Sequence, residues 1–365
     1  MVQATAGMFG GIVAFALTLT GHWLLTPLAK TFGLLDHPAG RKDHESSTPI
    51  TGGIVMLASV FLAEIVLLGD SGPVFYGFYL AGLILIILGV FDDKYDLPWQ
   101  LRIAVEVIAA LVVIYIGGVR VAQLGDAFGV NIAALGVLSV PFTVFAIVGT
   151  INAINMIDGA DGLAALLVLA ALVMLEAATL YAGNGSVSAR VAILIGAVAG
   201  FLVYNLRVLL HQRARIFMGN AGSAFLGLVI AWFAFRLTQT PAHPVSPVLG
   251  LWLVPVPIMD CLVLMIRRIR NKQSPFAADH NHIHHLMLEG GFGPTRAAIV
   301  LALFSGVCGL MAGLALLLHI PHLLLLAAFA GLCVLWYWMT SRRARAIRFF
   351  QGLRTVSMAR RQTLH

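Results

Sequence analysis

The run Asn152-Ala-Ile-Asn155-Met-Ile-Asp158-Gly159-Ala-Asp161-Gly162 places a carboxamide or carboxylate at every third position, between two long apolar stretches. On a straight α-helix that spacing drifts by about 60° per step, so Asn152, Asn155 and Asp158 share one broad face. Gly159 and Gly162 loosen the helix beyond them and let backbone approach a ligand. Polar groups left unpaired beside apolar spans are costly, which sets this run apart from an ordinary solvated loop at a helix end. Oxygen donors without thiols suit a hard cation such as Mg2+, with Mn2+ as the substitute, and the phosphates that accompany it.

Four other stretches have chemical potential. Asp92-Asp93-Lys94-Tyr95-Asp96 concentrates carboxylates that repel one another unless a cation or a basic ligand sits among them. In Arg213-Ala-Arg215-Ile-Phe-Met-Gly219-Asn220-Ala-Gly222-Ser223, glycines and a serine open an apolar run and can offer backbone N–H groups to a phosphate. The plainer alternative there is a small-residue packing patch; Asn220, Ser223 and the preceding arginines weigh against it. Asp279-His280-Asn281-His282-Ile283-His284-His285 is rich in imidazole, but it lacks the carboxylate or thiol partners and the geometry of a tetrahedral zinc site. With Arg267, Arg268, Arg270 and Lys272 nearby, the histidines fit an anionic substrate. Asp36-His37-Pro38 with Arg41 and Lys42 suits a lipid phosphate or a plain topogenic loop equally.

These motifs are set in an apolar chain. Of 365 residues, 60% are hydrophobic and 11% charged, with mean hydropathy +0.94, where a soluble domain carries roughly 25% charged residues. Apolar runs of about 20 residues can span a bilayer, and none alternates with period two as a β-barrel strand would. The expected fold is all-α, a polytopic helical membrane bundle. Eleven spans are expected, near 8–29, 50–69, 74–91, 100–119, 132–150, 163–182, 189–209, 219–238, 247–266, 297–318 and 322–340. Residues 1–340 then form the membrane domain, and 341–365 a basic amphipathic tail lying on anionic lipid. All lysines and arginines except Arg120, Arg190 and Arg236 fall in alternate loops or the tail. The positive-inside rule therefore expects a periplasmic N-terminus, a cytoplasmic C-terminus and every motif on the cytoplasmic face. The net charge of +7 follows from that topology, and no nucleic-acid partner is expected. Cys261, Cys308 and Cys333 lie in apolar spans as small core residues. The first apolar run has no preceding basic residue or clear cleavage site and is read as a span.

The motifs, in this order on this topology, resemble the polyprenyl-phosphate N-acetylhexosamine-1-phosphate transferases over nearly the whole chain. The family's aspartate pair matches Asp92-Asp93. Its Asn-x-x-Asn-x-x-Asp-Gly-x-Asp-Gly motif matches Asn152, Asn155, Asp158 and Asp161. Its Gly-Asp-x-Gly-Ser motif matches Gly219, Gly222 and Ser223, and its histidine loop matches Asp279 to His285. The His-Ile-His-His form after Ser-Pro-Phe resembles the WecA branch. That resemblance implies transfer of N-acetylglucosamine-1-phosphate from UDP-GlcNAc to undecaprenyl phosphate with release of UMP. It also implies Mg2+ dependence, a bacterial inner (plasma) membrane and the first membrane step of cell-surface polysaccharide synthesis, of the O-antigen or enterobacterial common antigen kind.

By the same resemblance Asn155 and Asn220 are the metal ligands. Asp158 and Asp161 shape the nucleotide site, Asp92 and Asp93 face the lipid phosphate, and His282, His284 and His285 stabilise the pyrophosphate and leaving UMP. Asn152, Gly159, Arg213, Arg215, Gly222, Ser223, Asp279 and Lys42 contribute to substrate binding. One departure stands out: the family's aspartate after the third-motif glycine is Asn220 here, a neutral ligand that holds a cation more weakly. A substitution introduced to silence the enzyme, a natural variant and a degenerate relative all fit, although the intact remainder speaks against long decay. Asp92 is expected to matter most at low pH as a base, whereas a pH-independent role would mark positioning. A different N-acetylhexosamine donor, an inactive scaffold and a secondary transporter are the other readings; a transporter would set its polar residues near the midplane in matched halves. The oligomeric state, homodimer included, stays open.

Overall fold

The computed structural model describes residues 2–36, 47–69, 72–125, 134–207, 213–239, 245–275 and 281–362. Among them the chain is nearly all helical, in the order α1 (Val2–Thr31), β1 (Leu35–Asp36), β2 (Thr48–Pro49), α2 (Gly52–Leu68), α3 (Pro73–Tyr95), α4 (Trp99–Tyr115), α5 (Ser139–Ile157), α6 (Leu163–Tyr181), α7 (Gly185–Asn205), α8 (Gly219–Thr238), α9 (Leu249–Leu253), α10 (Pro255–Arg270), α11 (Ile283–Glu289), α12 (Pro294–Leu317), α13 (His322–Thr340) and α14 (Arg343–Gln362). Eight of these helices are long and apolar enough to cross a membrane: α1, α3, α5, α6, α7, α8, α12 and α13. The chain is a multi-pass membrane protein.

Three of the eleven expected spans fall on shorter helices. α2 and α4 have 17 residues each, about 25 Å of rise against a hydrocarbon core of about 30 Å. The run expected over 247–266 is broken. α9 stops at Val254, whose φ of −131° and ψ of 57° leave the helix, and Pro255 restarts the chain at the first position of α10, where a missing N–H costs nothing. The run expected over 132–150 is displaced: α5 reaches Ile157, so Asn152 and Asn155 lie in its last turns. Asp158 is its C-cap, with ψ of 57°, and so leaves the face it was expected to share.

α8 is the pillar of the bundle. A helix that is apolar all round belongs inside, and nearly every residue from Ala221 to Ala234 is buried. Trp232, wholly buried, sits 4.9 Å from Phe78, 5.1 Å from Phe75 and 4.7 Å from Phe233 between ring centroids. Around α8 stand α2, α3, α5 and α6, while α1 lies along α7.

The first turn of α8 is held more tightly still. A Cβ on Gly89 of α3 would lie 2.2 Å from the Ala221 Cα, and one on Gly53 of α2 would lie 2.4 Å from the Gly222 nitrogen. The segment before α8 is pinned to the start of α2: the Gly52 N–H donates to the Phe217 carbonyl (3.1 Å) and the Phe217 N–H to the Pro49 carbonyl (2.8 Å). Gly89→Val is expected to push α8 off α3 and destabilise the protein by at least about 1–3 kcal/mol. Gly149→Ala, with open space around it, should leave the thermal midpoint in detergent unchanged or raise it. Equal midpoints for Gly89→Val and the parent chain would refute the tight socket.

Candidate active site at the N-terminus of α8

Asp92 and Asp93 end α3 side by side, and a helical step of about 100° sends them to different neighbours. Asp92, buried, accepts from the Arg102 guanidinium of α4 at 3.0 Å and from the Leu97 backbone N–H at 2.9 Å. It closes the α3–α4 turn. Asp93 points to α8, where its Oδ1 accepts the Asn220 backbone N–H at 2.9 Å. That N–H is one of the donors a helix leaves unbonded in its first turn, and the carboxylate there also meets the positive end of the helix dipole. Gly219, at φ +71°, permits the approach: a Cβ would stand 2.4 Å from Asp93 Oδ2.

Asn155 completes the contact from α5. Its amide nitrogen donates to Asn220 Oδ1 and to Ser223 Oγ, each at 2.9 Å. Ser223 is wholly buried one turn into α8. Gly222, expected to present its backbone to a phosphate, is instead buried against Gly53, the packing role that its small size allows. Asn152 turns the other way, to Glu106 Oε2 of α4 at 2.5 Å and its own helix's Val148 carbonyl at 2.9 Å. The four-residue polar repeat is thus divided between two neighbourhoods.

Past the end of α5 the chain turns through Asp158 to Gly162. Burial raises the Asp158 carboxyl from its ordinary value near 3.8 to about 7, and the negative charges of Asp93 and then Asp161 add to the rise. Asp161 is ion-paired with Arg207. Gly162, at φ +77°, donates its N–H to Asn205 Oδ1 (2.7 Å), and the Asn205 amide donates to the Ile216 carbonyl (2.8 Å). One buried asparagine therefore ties the turn to the segment that leads into α8.

The histidine helix α11 docks on this turn. A Cβ on Gly159 would lie 2.4 Å from His284 Nε2, so glycine at 159 makes room for the ring. His284 is wholly buried, with its centroid 4.1 Å from that of His285 and 5.6 Å from that of His282. His282 is fixed from behind: its Nδ1 lies 2.8 Å from Asp260 Oδ2, while Asp260 Oδ1 accepts from the Ile283 N–H and the Trp336 indole N–H, both at 3.2 Å. A buried carboxylate on α10 thereby joins α11 and α13. Arg213 and Arg215 are exposed on the segment preceding α8. Asp279 and Lys42 lie outside the described residues.

The structure thus links Asp93, Asn155, Asn220 and Ser223 through direct hydrogen bonds, sets Asp158 in the field of Asp93, pairs Asp161 with Arg207, docks His284 on Gly159, and ties Asp92 and Asn152 to α4. Sequence reading passed over Asp260, Glu106 and Asn205. The available signal was their isolation: a lone acid or amide inside an apolar helix is costly, and therefore has a partner and a purpose.

Comparison with known proteins gives the family. Residues 75–238 match the family described as Glycosyl transferase family 4, the part of the chain that holds Asp93, Asn155, Asp158 and Asn220. The chain is 30% identical over 341 residues to an undecaprenyl-phosphate alpha-N-acetylglucosaminyl 1-phosphate transferase of Yersinia pestis, covering 93% of each chain. To the Escherichia coli K12 protein of the same name it is 32% identical, over 92% of this chain and 93% of that one. To the Pasteurella multocida protein it is 31% identical, over 94% and 97%. Identity sustained over that much of both chains means that this chain belongs to glycosyl transferase family 4, in the WecA branch of the polyprenyl-phosphate N-acetylhexosamine-1-phosphate transferases.

Proposed function

We propose that the protein transfers N-acetylglucosamine-1-phosphate from UDP-GlcNAc to undecaprenyl phosphate, releasing UMP, at the cytoplasmic face of a bacterial inner membrane. The step would initiate a cell-surface polysaccharide. The observation that carries the reading is the joining of Asp93 and Asn155 to Asn220 at the first turn of α8, with Asp158 in the field of Asp93 and the histidine helix docked on Gly159 of the 158–162 turn. In this reaction a phosphate oxygen of the lipid forms a bond to the β-phosphorus of the nucleotide sugar while the bond to UMP breaks. Both reactants are anions, so positioning and charge neutralisation dominate.

The donor set suits Mg2+. Every side chain at the contact offers oxygen, and Asp93 and Asp158 repel each other in the absence of a cation. Among the described residues no three His, Cys, Asp or Glu side chains form a ready metal cluster, so the carboxamides would complete the set. Asp93, Asp158, Asn155 and Asn220 would hold the ion, which when bound offsets the charge of the pyrophosphate. His282, held at Nδ1 by Asp260, would keep Nε2 for an anionic substrate. Asp92 is engaged by Arg102 and Leu97 and positions the end of α3. A lipid phosphate monoester has a second pKa of about 6, so near neutrality it needs little help from a base.

The direct test is UMP release in detergent from a panel of UDP-N-acetylhexosamines with Mg2+ and undecaprenyl phosphate. Asn220→Asp adds a charged ligand and is expected to raise both Mn2+ affinity, read by spin resonance, and turnover by about tenfold or more. If the Asn220→Asp variant turned over none of the donors, the transferase reading would fall. Asp260→Asn is expected to lower kcat roughly tenfold with little change in KM for UDP-GlcNAc, and Asp260→Glu to recover part of it. A matched loss of folded yield, with kcat unchanged in what remains, would refute the orienting role. Asp158 supplies a pH test. Its folded value of about 7 exceeds the ordinary 3.8, so the native state binds the extra proton between those limits. Metal-free stability should fall as pH rises from about 4 to about 7 and level off above. Asp158→Asn should remove part of that slope in EDTA, leaving the share of Asp93, whose carboxyl burial raises to about 6; an unchanged slope would assign the whole of it to other groups.

A further inference from the structure

α14 presents two lines of side chains, about 100° apart, to two different surroundings. One line, Arg343, Ala346, Phe350 and Arg354, grips the histidine helix. Arg343 is ion-paired with Glu289 at the end of α11 and donates to Asn281 Oδ1 before its start (2.9 Å). Ala346 and Phe350 are buried. The Phe350 ring stands edge-on to Phe292 at 6.0 Å, and its Cβ would lie 2.5 Å from a Cβ on Gly290. Gly291, at φ +88°, leaves room for the Arg354 guanidinium. This line therefore touches the residues on both flanks of His282, His284 and His285.

The second line, Arg345, Phe349 and Leu353, repeats every fourth residue and faces outward. Phe349 and Leu353 are each 48% exposed. Arg345 stacks on the Trp338 ring at 4.4 Å and donates to the Trp338 carbonyl at 2.8 Å. Trp338 is itself exposed, two residues before the end of α13, a position typical of an indole at a membrane boundary. Leu353 and Phe349 continue from that indole along the helix, flanked by the exposed Arg342 and Arg348. No acidic residue lies between Arg342 and the end of the chain. An apolar stripe between arginines, starting at an interfacial tryptophan, is complementary to an anionic phospholipid surface.

We propose that α14 is a transmitting brace: its Arg345–Phe349–Leu353 face docks on anionic phospholipid, and its Arg343–Phe350 face thereby holds α11 and the catalytic-loop histidines against the Asp158–Gly162 turn. The occupant of the outer face is the bilayer surface, and the effect is regulation of the site described above. It rests on the transferase reading only for its effect on rate. The docking and the ordering of α11 are independent of turnover.

The test uses the full chain in nanodiscs of pure phosphatidylcholine or with phosphatidylglycerol added. The exchange-rate readout needs no activity: amide hydrogen exchange in residues 281–292 is expected to slow about threefold or more with anionic lipid. The triple variant Arg342→Gln/Arg348→Gln/Leu353→Ser, which leaves Phe349 in place against Phe350, should lose that slowing while matching the parent chain in phosphatidylcholine. On the Asn220→Asp background the same lipid change should raise UMP release, and the triple variant should not respond. Exchange that ignores lipid charge in the parent chain, or a triple variant that keeps the full response, would overturn the proposal. Lipid-dependent exchange without UMP release in any lipid would leave the brace standing and sink the transferase reading instead.

Discussion

The site depends on one constraint: the first turn of α8 must bring unbonded backbone donors to the carboxylate of Asp93 inside an apolar bundle. A helix start buried without partners is unfavourable, and so is a carboxylate in the same place. Their contact at Asn220 offsets part of both costs, and burial still holds the Asp93 carboxyl up at about 6. Geometry enforces it, because Gly53 and Gly89 let α8 approach within backbone contact and Gly219 leaves space for the Asp93 oxygens. The remaining groups are referred to this point: Asn155 through the Asn220 side chain, Asp158 through its repulsion from Asp93, and the 158–162 turn through Asn205.

The same physics governs charges elsewhere in the bundle. Arg190, one of the few basic residues outside the expected cytoplasmic loops, is buried with Glu64 at 2.8 Å, packed on the Phe75 ring at 3.7 Å and hydrogen-bonded to Ser186. Tyr79 donates to the same glutamate. Asp92 with Arg102, and Asp260 with His282, Ile283 and Trp336, follow the pattern. Each joins two or three helices, and removing one partner would strand the other in a medium that solvates it poorly. Asp158 is different. Its environment raises its proton affinity, a condition that a cation placed beside the carboxyl group would reverse.

The histidine helix is short, and a helix of seven residues has little stability of its own. Its order comes from neighbours: Asp260 behind it, Gly159 in front, and α14 along its ends. That dependence makes the tail more than a topological stop. The flank that holds α11 and the exposed flank beside it are two uses of one amphipathic sequence.

By itself the sequence determined the all-α membrane class, the oxygen-rich chemistry of the motifs and the family, because apolar length, residue type and short-range spacing are local properties. It also singled out Asn155 and Asn220, which the structure brings into contact. What it left open was direction. Adjacent Asp92 and Asp93 differ only by a helical step, yet one braces α4 and the other caps α8, 127 residues away. Asn152 and Asn155 share a helix face in the pattern but separate onto Glu106 and Asn220. Asp260 gave no motif at all, since its meaning lies in His282 and Trp336, residues remote in sequence. Only the tertiary structure decided these pairings, because spacing fixes which side of a helix a residue occupies, and packing alone fixes what stands opposite.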